Sequence, residues 1–166
     1  MRTPYSSGVQ RLMRHAQNVS GKYYHRFVHT EYLLLALLKD ANGATELLRS
    51  MGRDVVSLRR KCEAKCRRGE HPMEEALKLT TGVQNVLAIA HEQVRALGHR
   101  TLDTRHVLLG LIMEDEGVAG HLLRHEGLTS EAVLSAIQSS GSTETPHLEH
   151  ESVARPTLLK RLLGGR

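Results

Sequence analysis

The sequence predicts an all-α fold made of one four-helix unit used twice, and three observations carry that prediction. The first is the material available for a core. Aromatic residues make up 3% of the 166 residues, Phe27 is the single phenylalanine, and tryptophan is absent. A core must then be assembled from Leu, Val, Ile, Met and Ala, which suit helical stripes better than sheets built on β-branched and aromatic pairs. The second is self-similarity. Ser6-Ser7-Gly8-Val9-Gln10 recurs as Thr80-Thr81-Gly82-Val83-Gln84, His25-Arg26 as His99-Arg100, Thr30 as Thr104, and Leu34-Leu35-Ala36-Leu37 as Leu108-Leu109-Gly110-Leu111, all at an offset of 74 residues. Past Gly43 and Gly117 the offset grows by one, aligning Leu47-Leu48-Arg49 with Leu122-Leu123-Arg124 and Gly52 with Gly127. A register held over that much chain marks one structural unit repeated in tandem. The third is the apolar period within each unit, which is helical throughout.

Each element follows from that period and its flanking residues. The first helix of each unit carries Val9, Leu12, Met13 and Ala16, or Val83, Val86, Leu87 and Ala90, at i, i+3, i+4, i+7. Ser6 or Ser7, and Thr80 or Thr81, are placed to cap these helices by accepting from an unsatisfied backbone N–H. The second helix is expected to start on Thr30 or Thr104 as N-caps and to run through Leu33–Leu38 or Val107–Met113. It is apolar nearly all round and should be the buried centre of its unit. The third begins after Gly43 or Gly117, carries Ala44, Leu47 and Leu48 or Val118, Leu122 and Leu123, and ends at the left-handed position offered by Gly52 or Gly127. Asp54 or Thr129 caps the fourth, with apolar positions Val55, Leu58 and Cys62, or Ala132, Val133, Ala136 and Ile137.

These signals divide the chain into a first repeat at 5–68, a linker at 69–78 broken by Gly69 and Pro72, a second repeat at 79–139, and a tail at 140–166. The tail opens with a Ser/Gly/Thr/Pro-rich stretch of no apolar period and should be flexible; Leu158–Leu163 within it could form a turn or two of amphipathic helix. No run reaches the roughly 18–20 apolar residues that cross a bilayer, and Met1–Ser7 lack the apolar segment of a secretory signal, so a cytoplasmic protein is expected. The net charge is +5 with histidine neutral. That excess suits solubility, or recruitment of an acidic surface or nucleic acid.

Several chemistries find little support. Cys62 and Cys66 are too few for a disulfide framework, and i,i+4 spacing is the wrong local geometry for a short metal-binding knuckle, so reduced, partly buried thiols are expected and no metal or other cofactor. His121 and His125 lack the glutamate of a His-Glu-x-x-His zinc site. No Gly-x-x-x-x-Gly-Lys-Ser/Thr loop occurs, which leaves no phosphate cradle for ATP hydrolysis, and no nucleophile–base–orienter set can be read. The chain is therefore not expected to be an enzyme. The basic run Arg59-Arg60-Lys61, Lys65, Arg67-Arg68 could touch phosphates, but it has no interleaved aromatics or recognised nucleic-acid motif, and cations near a helix C-terminus also complement its dipole.

The repeated pattern is familiar. His25 through Leu35, with Thr30-Glu31 and the leucine run, and His99 through Gly110 are similar to a "G-H … G-T-E-H-L-L-L-G-L" signature. Gly117-Val118-Ala119, Leu122-Leu123 and Gly127 are similar to "E-G-V-A … V-L … L-G-V". On these residues the chain resembles the Clp repeat (Clp N-terminal) domain of the Hsp100/Clp unfoldases, especially the ClpC and ClpA type, over residues 5–139. The resemblance implies two tandem four-helix repeats related by a pseudo-two-fold axis. It also implies a substrate- and adaptor-docking role without the motor, as in free-standing Clp N-domain proteins that act as accessory factors of Clp proteases.

The resemblance also implies where binding would occur. In ClpC-type N-domains each repeat has a pocket for phosphorylated arginine, in which the Glu of the Thr-Glu motif meets the guanidinium and a Thr opening the first helix helps at the phosphate. The first repeat offers Glu31 and Ser6. The second offers Thr80 but has Arg105 in place of the acid, which would repel a guanidinium. Glu31 also has a purely structural explanation, since a carboxylate in the first turn is favoured by the helix dipole by about 0.3–1 kcal/mol. The same dipole disfavours Arg105, which calls for an acidic neighbour such as Asp103 or for an anionic partner. The expected role is an accessory, adaptor-like protein-binding factor of a Clp-type unfoldase–protease, binding substrate proteins, adaptors or the machine itself. A decoy that sequesters unfoldase ligands is one alternative, and a basic nucleic-acid-associated helical protein is another.

Overall fold

The computed structural model describes residues 3–72 and 78–140. Among these the chain forms eight helices and one pair of two-residue strands: α1 (Ser7–Lys22), β1 (Phe27–Val28), α2 (Thr30–Leu37), α3 (Gly43–Ser50), α4 (Val55–Glu63), β2 (Lys78–Leu79), α5 (Thr81–Ala96), α6 (Thr104–Met113), α7 (Val118–His125) and α8 (Ser130–Ser139). The fold is all-α, and α1–α4 recur as α5–α8. The tail from residue 141 onward, including Leu158–Leu163, and linker residues 73–77 lie outside the described residues.

Most helix boundaries follow from local chemistry. Ser6 Oγ accepts from Val9 N at 3.2 Å and Thr80 Oγ1 from Val83 N at 3.3 Å, so α1 and α5 start on the expected hydroxyls. Asp54 Oδ1 accepts from the amides of Val56 and Ser57, and Thr129 Oγ1 from that of Ala132. Gly52 and Gly127 take φ of 73° and 78° just past α3 and α7. The next amides, of Arg53 and Leu128, turn back onto the carbonyls of Leu48 and Leu123.

Thr30 and Thr104 differ from expectation. The N-caps of α2 and α6 are His29, which makes no side-chain capping bond, and Asp103, whose Oδ1 accepts from Arg105 N at 2.8 Å. The two threonines stand one residue inside, buried, and their hydroxyls serve the other repeat. Thr104 Oγ1 accepts from Ala44 N in α3 at 3.2 Å, and Thr30 Oγ1 from Ala119 N in α7 at 3.4 Å. Each repeat thus lends a hydroxyl to the first turn of the other's third helix.

The backbone makes the same exchange. β2, ahead of α5, pairs in parallel with β1, ahead of α2, matching Phe27 to Lys78 and Val28 to Leu79. The chain ahead of α1 meets the chain ahead of α6 through a parallel bridge of Tyr5 with Leu102. Leu79 and Leu102 are the counterparts of Tyr5 and Val28 at the 74-residue offset, so the two pairings are one contact repeated by the pseudo-two-fold relation. α2 packs on α6 and α7 as well as on α1, and α3 packs on α6.

One continuous hydrophobic core results. Leu33, Leu34, Leu37, Leu108, Leu109 and Leu111 are fully enclosed, and the expected faces of α1 and α5 join them. The stripes fail only at their ends: Met113 closes α6 and Val118 opens α7, 36% and 40% exposed, and Ala132 in the first turn of α8 faces outward. At Gly117 a Cβ would fall on Glu114 Oε2 and lie 2.6 Å from Thr30 Oγ1. Glycine there lets the α6–α7 loop close on Thr30.

Candidate protein-interaction site

The strand exchange decides which candidate residues meet. Ser6 N donates to Leu102 O at 2.9 Å, which sets the start of α1 beside Asp103-Thr104-Arg105. Thr80 N donates to Val28 O at 3.2 Å and its hydroxyl to the same oxygen at 3.1 Å, which sets the start of α5 beside His29-Thr30-Glu31. Gly8 and Gly82, in the first turns of α1 and α5, lie against the methyls of Thr104 and Thr30 respectively. Grouping by repeat put Ser6 with Glu31 and Thr80 with Arg105. In the structure Ser6 and Arg105 line one cleft, and Thr80 lies at the Thr30-Glu31 end.

The two ends have unlike electrostatics. Ser6 and Arg105 border an open cleft of about 410 Å³ between the starts of α1, α3 and α6, with Arg11, Asn42 and Gly43 among its walls. Arg105 does not reach freely into this cleft. Its Nη2 and Nε lie 2.5 and 3.0 Å from Asp103 Oδ2, and its side chain is 14% exposed. Asp103 Oδ1 is also 3.1 Å from His106 Nδ1, and His106 Nε2 is 2.8 Å from His99 Nδ1. Burial alone would raise the Asp103 pKa, yet the bonds from His106 and Arg105 outweigh it and hold the carboxyl well below the usual carboxylate range. The acidic neighbour that Arg105 calls for is Asp103.

Glu31 is the opposite case. It sits half-buried in the first turn of α2, and no ion pair or hydrogen bond engages its carboxylate among the described residues. Its backbone carbonyl accepts from Cys62 Sγ at 3.3 Å, which ties the α2 start to α4. Among the described residues, the end holding Thr80 and Glu31 therefore presents a carboxylate with no ion pair, while the end holding Ser6 and Arg105 is paired internally.

Three positioning residues escaped the sequence reading. Glu114 is 4% exposed, and its carboxylate accepts from Gly117 N at 2.6 Å and Glu116 N at 3.3 Å, folding the loop that presents α7 to Thr30. Arg124 clamps the same loop through Ile112 O and Glu114 O at 2.6 and 3.0 Å. Arg53 crosses the repeats to donate to Glu126 O and Gly127 O, both at 2.9 Å. Within the acidic run Glu114-Asp115-Glu116, only the three-residue spacing from Glu114 to Gly117 signalled the loop. The basic run that begins in the second half of α4 is partly engaged: Arg59 with Glu63, Lys61 with Glu126, and Arg68 over the Tyr24 ring at 4.2 Å.

Two helical repeats locked by reciprocal ties, with their polar residues at helix starts, define a helical-repeat interaction domain. The chain belongs to the Clp repeat (R) N-terminal domain family, whose profile matches residues 4–126 and again 78–158. Among curated proteins it is 30% identical to the negative regulator of genetic competence ClpC/MecB of Bacillus subtilis over 143 residues, covering 85% of this chain and 18% of that protein. The chain thus spans less than a fifth of that relative's length. Among solved structures it superimposes on the N-domain of ClpV from Vibrio cholerae with a TM-score of 0.71 at 19% identity, covering 86% of this chain and 89% of that one. A complex of a ClpV N-domain with a VipB peptide matches with a TM-score of 0.64 at 17% identity, covering 80% and 88%. Among the described residues no helix is long and apolar enough to cross a membrane.

Proposed function

We propose that the chain is a non-catalytic, adaptor-like factor of a Clp-type unfoldase–protease, and that it captures substrate or adaptor proteins by an arginine or phosphoarginine side chain at the Thr80–Glu31 end. The observation that carries this is the asymmetry between the two ends. A half-buried carboxylate with no ion pair or hydrogen bond among the described residues gains most from an incoming guanidinium, whereas at the other end Asp103 is already occupied by Arg105 and not free for one. The peptide complex of a structurally similar N-domain supports a peptide-binding role. The ATPase partner supplies all nucleotide chemistry, and this chain contributes recognition.

The test is fluorescence anisotropy with a labelled peptide carrying one phosphoarginine, and with its unmodified twin. Glu31→Gln removes the charge while keeping shape, and a charged hydrogen bond is worth about 1.5–3 kcal/mol, so affinity should fall by about tenfold or more. Unchanged affinity would remove Glu31 from the site. Equal affinity for the two peptides would confine recognition to the guanidinium.

A further inference from the structure

His106, in the first turn of α6, is fully enclosed, and its Nδ1 has two neighbours with opposite needs. Asp103 N lies 3.1 Å away and is a fixed donor, which requires a lone pair on Nδ1. Asp103 Oδ1, also 3.1 Å away, is an acceptor and requires a proton there. At the far edge of the ring, Nε2 is 2.8 Å from His99 Nδ1. While the amide is bonded to Nδ1, the neutral ring must carry its proton on Nε2 and donate it to His99. Little else ionisable surrounds this ring. Among the described residues, the buried faces of α1, α3, α5, α7 and α8, all packed on α6, hold no ionisable side chain, and that of α2 holds Tyr32 alone. His91, on the half-buried side of α5, lies against the Tyr5 ring. The groups bonded to His106 are therefore Asp103 and His99, with Arg105 joined through Asp103.

We infer that one proton at His106 Nδ1 switches the start of α6 between two bonded states, and that this acid-sensitive switch belongs to the second repeat alone. In the neutral state the Asp103 amide is bonded to the ring, and the Asp103 carboxylate serves the Arg105 amide and guanidinium. In the charged state Nδ1–H donates to Asp103 Oδ1, the Asp103 amide loses its acceptor, and one carboxylate is shared between two cations. The proton comes from solvent by way of the Asp103 carboxylate, whose side chain is 27% exposed. Nε2 keeps its proton and its bond to His99 in both states. The Ser6–Arg105 end thereby gains one positive charge, because Asp103 no longer cancels Arg105 alone. The first repeat has the same positions but different chemistry. At the 74-residue offset His99, Asp103 and His106 correspond to His25, His29 and Tyr32, so no carboxylate stands at the helix start. His25 Nε2 and Tyr32 Oη both lie 2.7 Å from Arg67 O, a pure acceptor, so His25 donates there whether neutral or charged. The switch does not depend on what Glu31 binds.

The test is nitrogen-15 NMR of the imidazoles of the full chain between about pH 8 and 5, the interval in which histidine changes charge. His106 should show a bare Nδ1 and a protonated Nε2 at the alkaline end, and two protonated nitrogens at the acid end. Protection of the Asp103 amide against hydrogen exchange should be lost over the same interval, while His25 keeps its Nε2 proton throughout. Asp103→Asn removes the charge that receives the new N–H, and His106 should then need about one pH unit or more of extra acid to reach the same state. Should that variant not fold, the nitrogen shifts and amide protection of the unaltered chain decide the matter. A proton already on Nδ1 at the alkaline end, a ring still neutral when the chain unfolds, or Asp103 amide protection that does not follow the ring would each overturn the inference.

Discussion

Removing the hydroxyl of Thr30 should cost more than removing that of Thr104, although the Thr30 bond is the longer. Thr104 Oγ1 is one of two acceptors for Ala44 N, because Asn42 Oδ1 also lies 3.0 Å from it. Thr104→Val leaves that amide satisfied and should cost about 0.5 kcal/mol. α7 has no such reserve. Its N-cap, Gly117, carries no side chain, and Thr30 Oγ1 is the side-chain acceptor that serves Ala119 N. Thr30→Val keeps the shape but leaves a buried amide unpaired at a helix start, a loss of about 1–2 kcal/mol. At about 4 °C per kcal/mol for a domain of this size, Thr30→Val should lower Tm by about 4–8 °C and Thr104→Val by about 2 °C. Urea unfolding reads the difference as a shift in midpoint at constant slope, and hydrogen exchange should quicken at Ala119 in the first variant. Equal losses, or a larger loss for Thr104→Val, would refute the reciprocal tie.

Three further outcomes follow from the geometry. The folded Asp103 pKa is depressed, so its contribution to stability is present above its unfolded value of about 4 and lost as pH falls below it. The stability gap between wild type and Asp103→Asn should therefore be full at pH 6 and shrink progressively as pH falls below about 4, as urea unfolding at a series of pH values would measure; a gap independent of pH counts against the His106–Asp103–Arg105 arrangement. Gly110→Ala should destabilise by about 1–3 kcal/mol in urea unfolding, because a Cβ there would sit 2.5 Å from Val86 O and wedge α5 from α6. Peptide capture through one charge pair should weaken by less than tenfold between 50 and 200 mM salt, whereas a complex resting on six or more phosphate contacts would lose about a thousandfold.

The fold was legible because its signals are local or strictly periodic. The 74-residue register exposed both repeats, and Ser6, Asp54, Thr80 and Thr129 were readable as caps because each hydroxyl or carboxylate serves an amide two or three residues on. Thr30 and Thr104 look the same in sequence, but their hydroxyls serve amides 89 and 60 residues away, which no local pattern encodes. The neighbours of the candidate site residues are equally non-local. The residue types were readable, yet the grouping by repeat was not what the chain builds, because the parallel pairings before α1 and α5 hand each helix start to the other repeat. Glu114 and Arg53 were invisible for a related reason: each looks like surface charge until the loop it holds has folded.

Whether the Thr80–Glu31 end, and not the Ser6–Arg105 end, carries binding is measured most directly by titrating the phosphoarginine peptide against Glu31→Gln and Ser6→Ala side by side. A loss of about tenfold or more in the first variant, with the second unchanged, is the predicted result. Equal affinities for both variants, or a loss confined to Ser6→Ala, would contradict it.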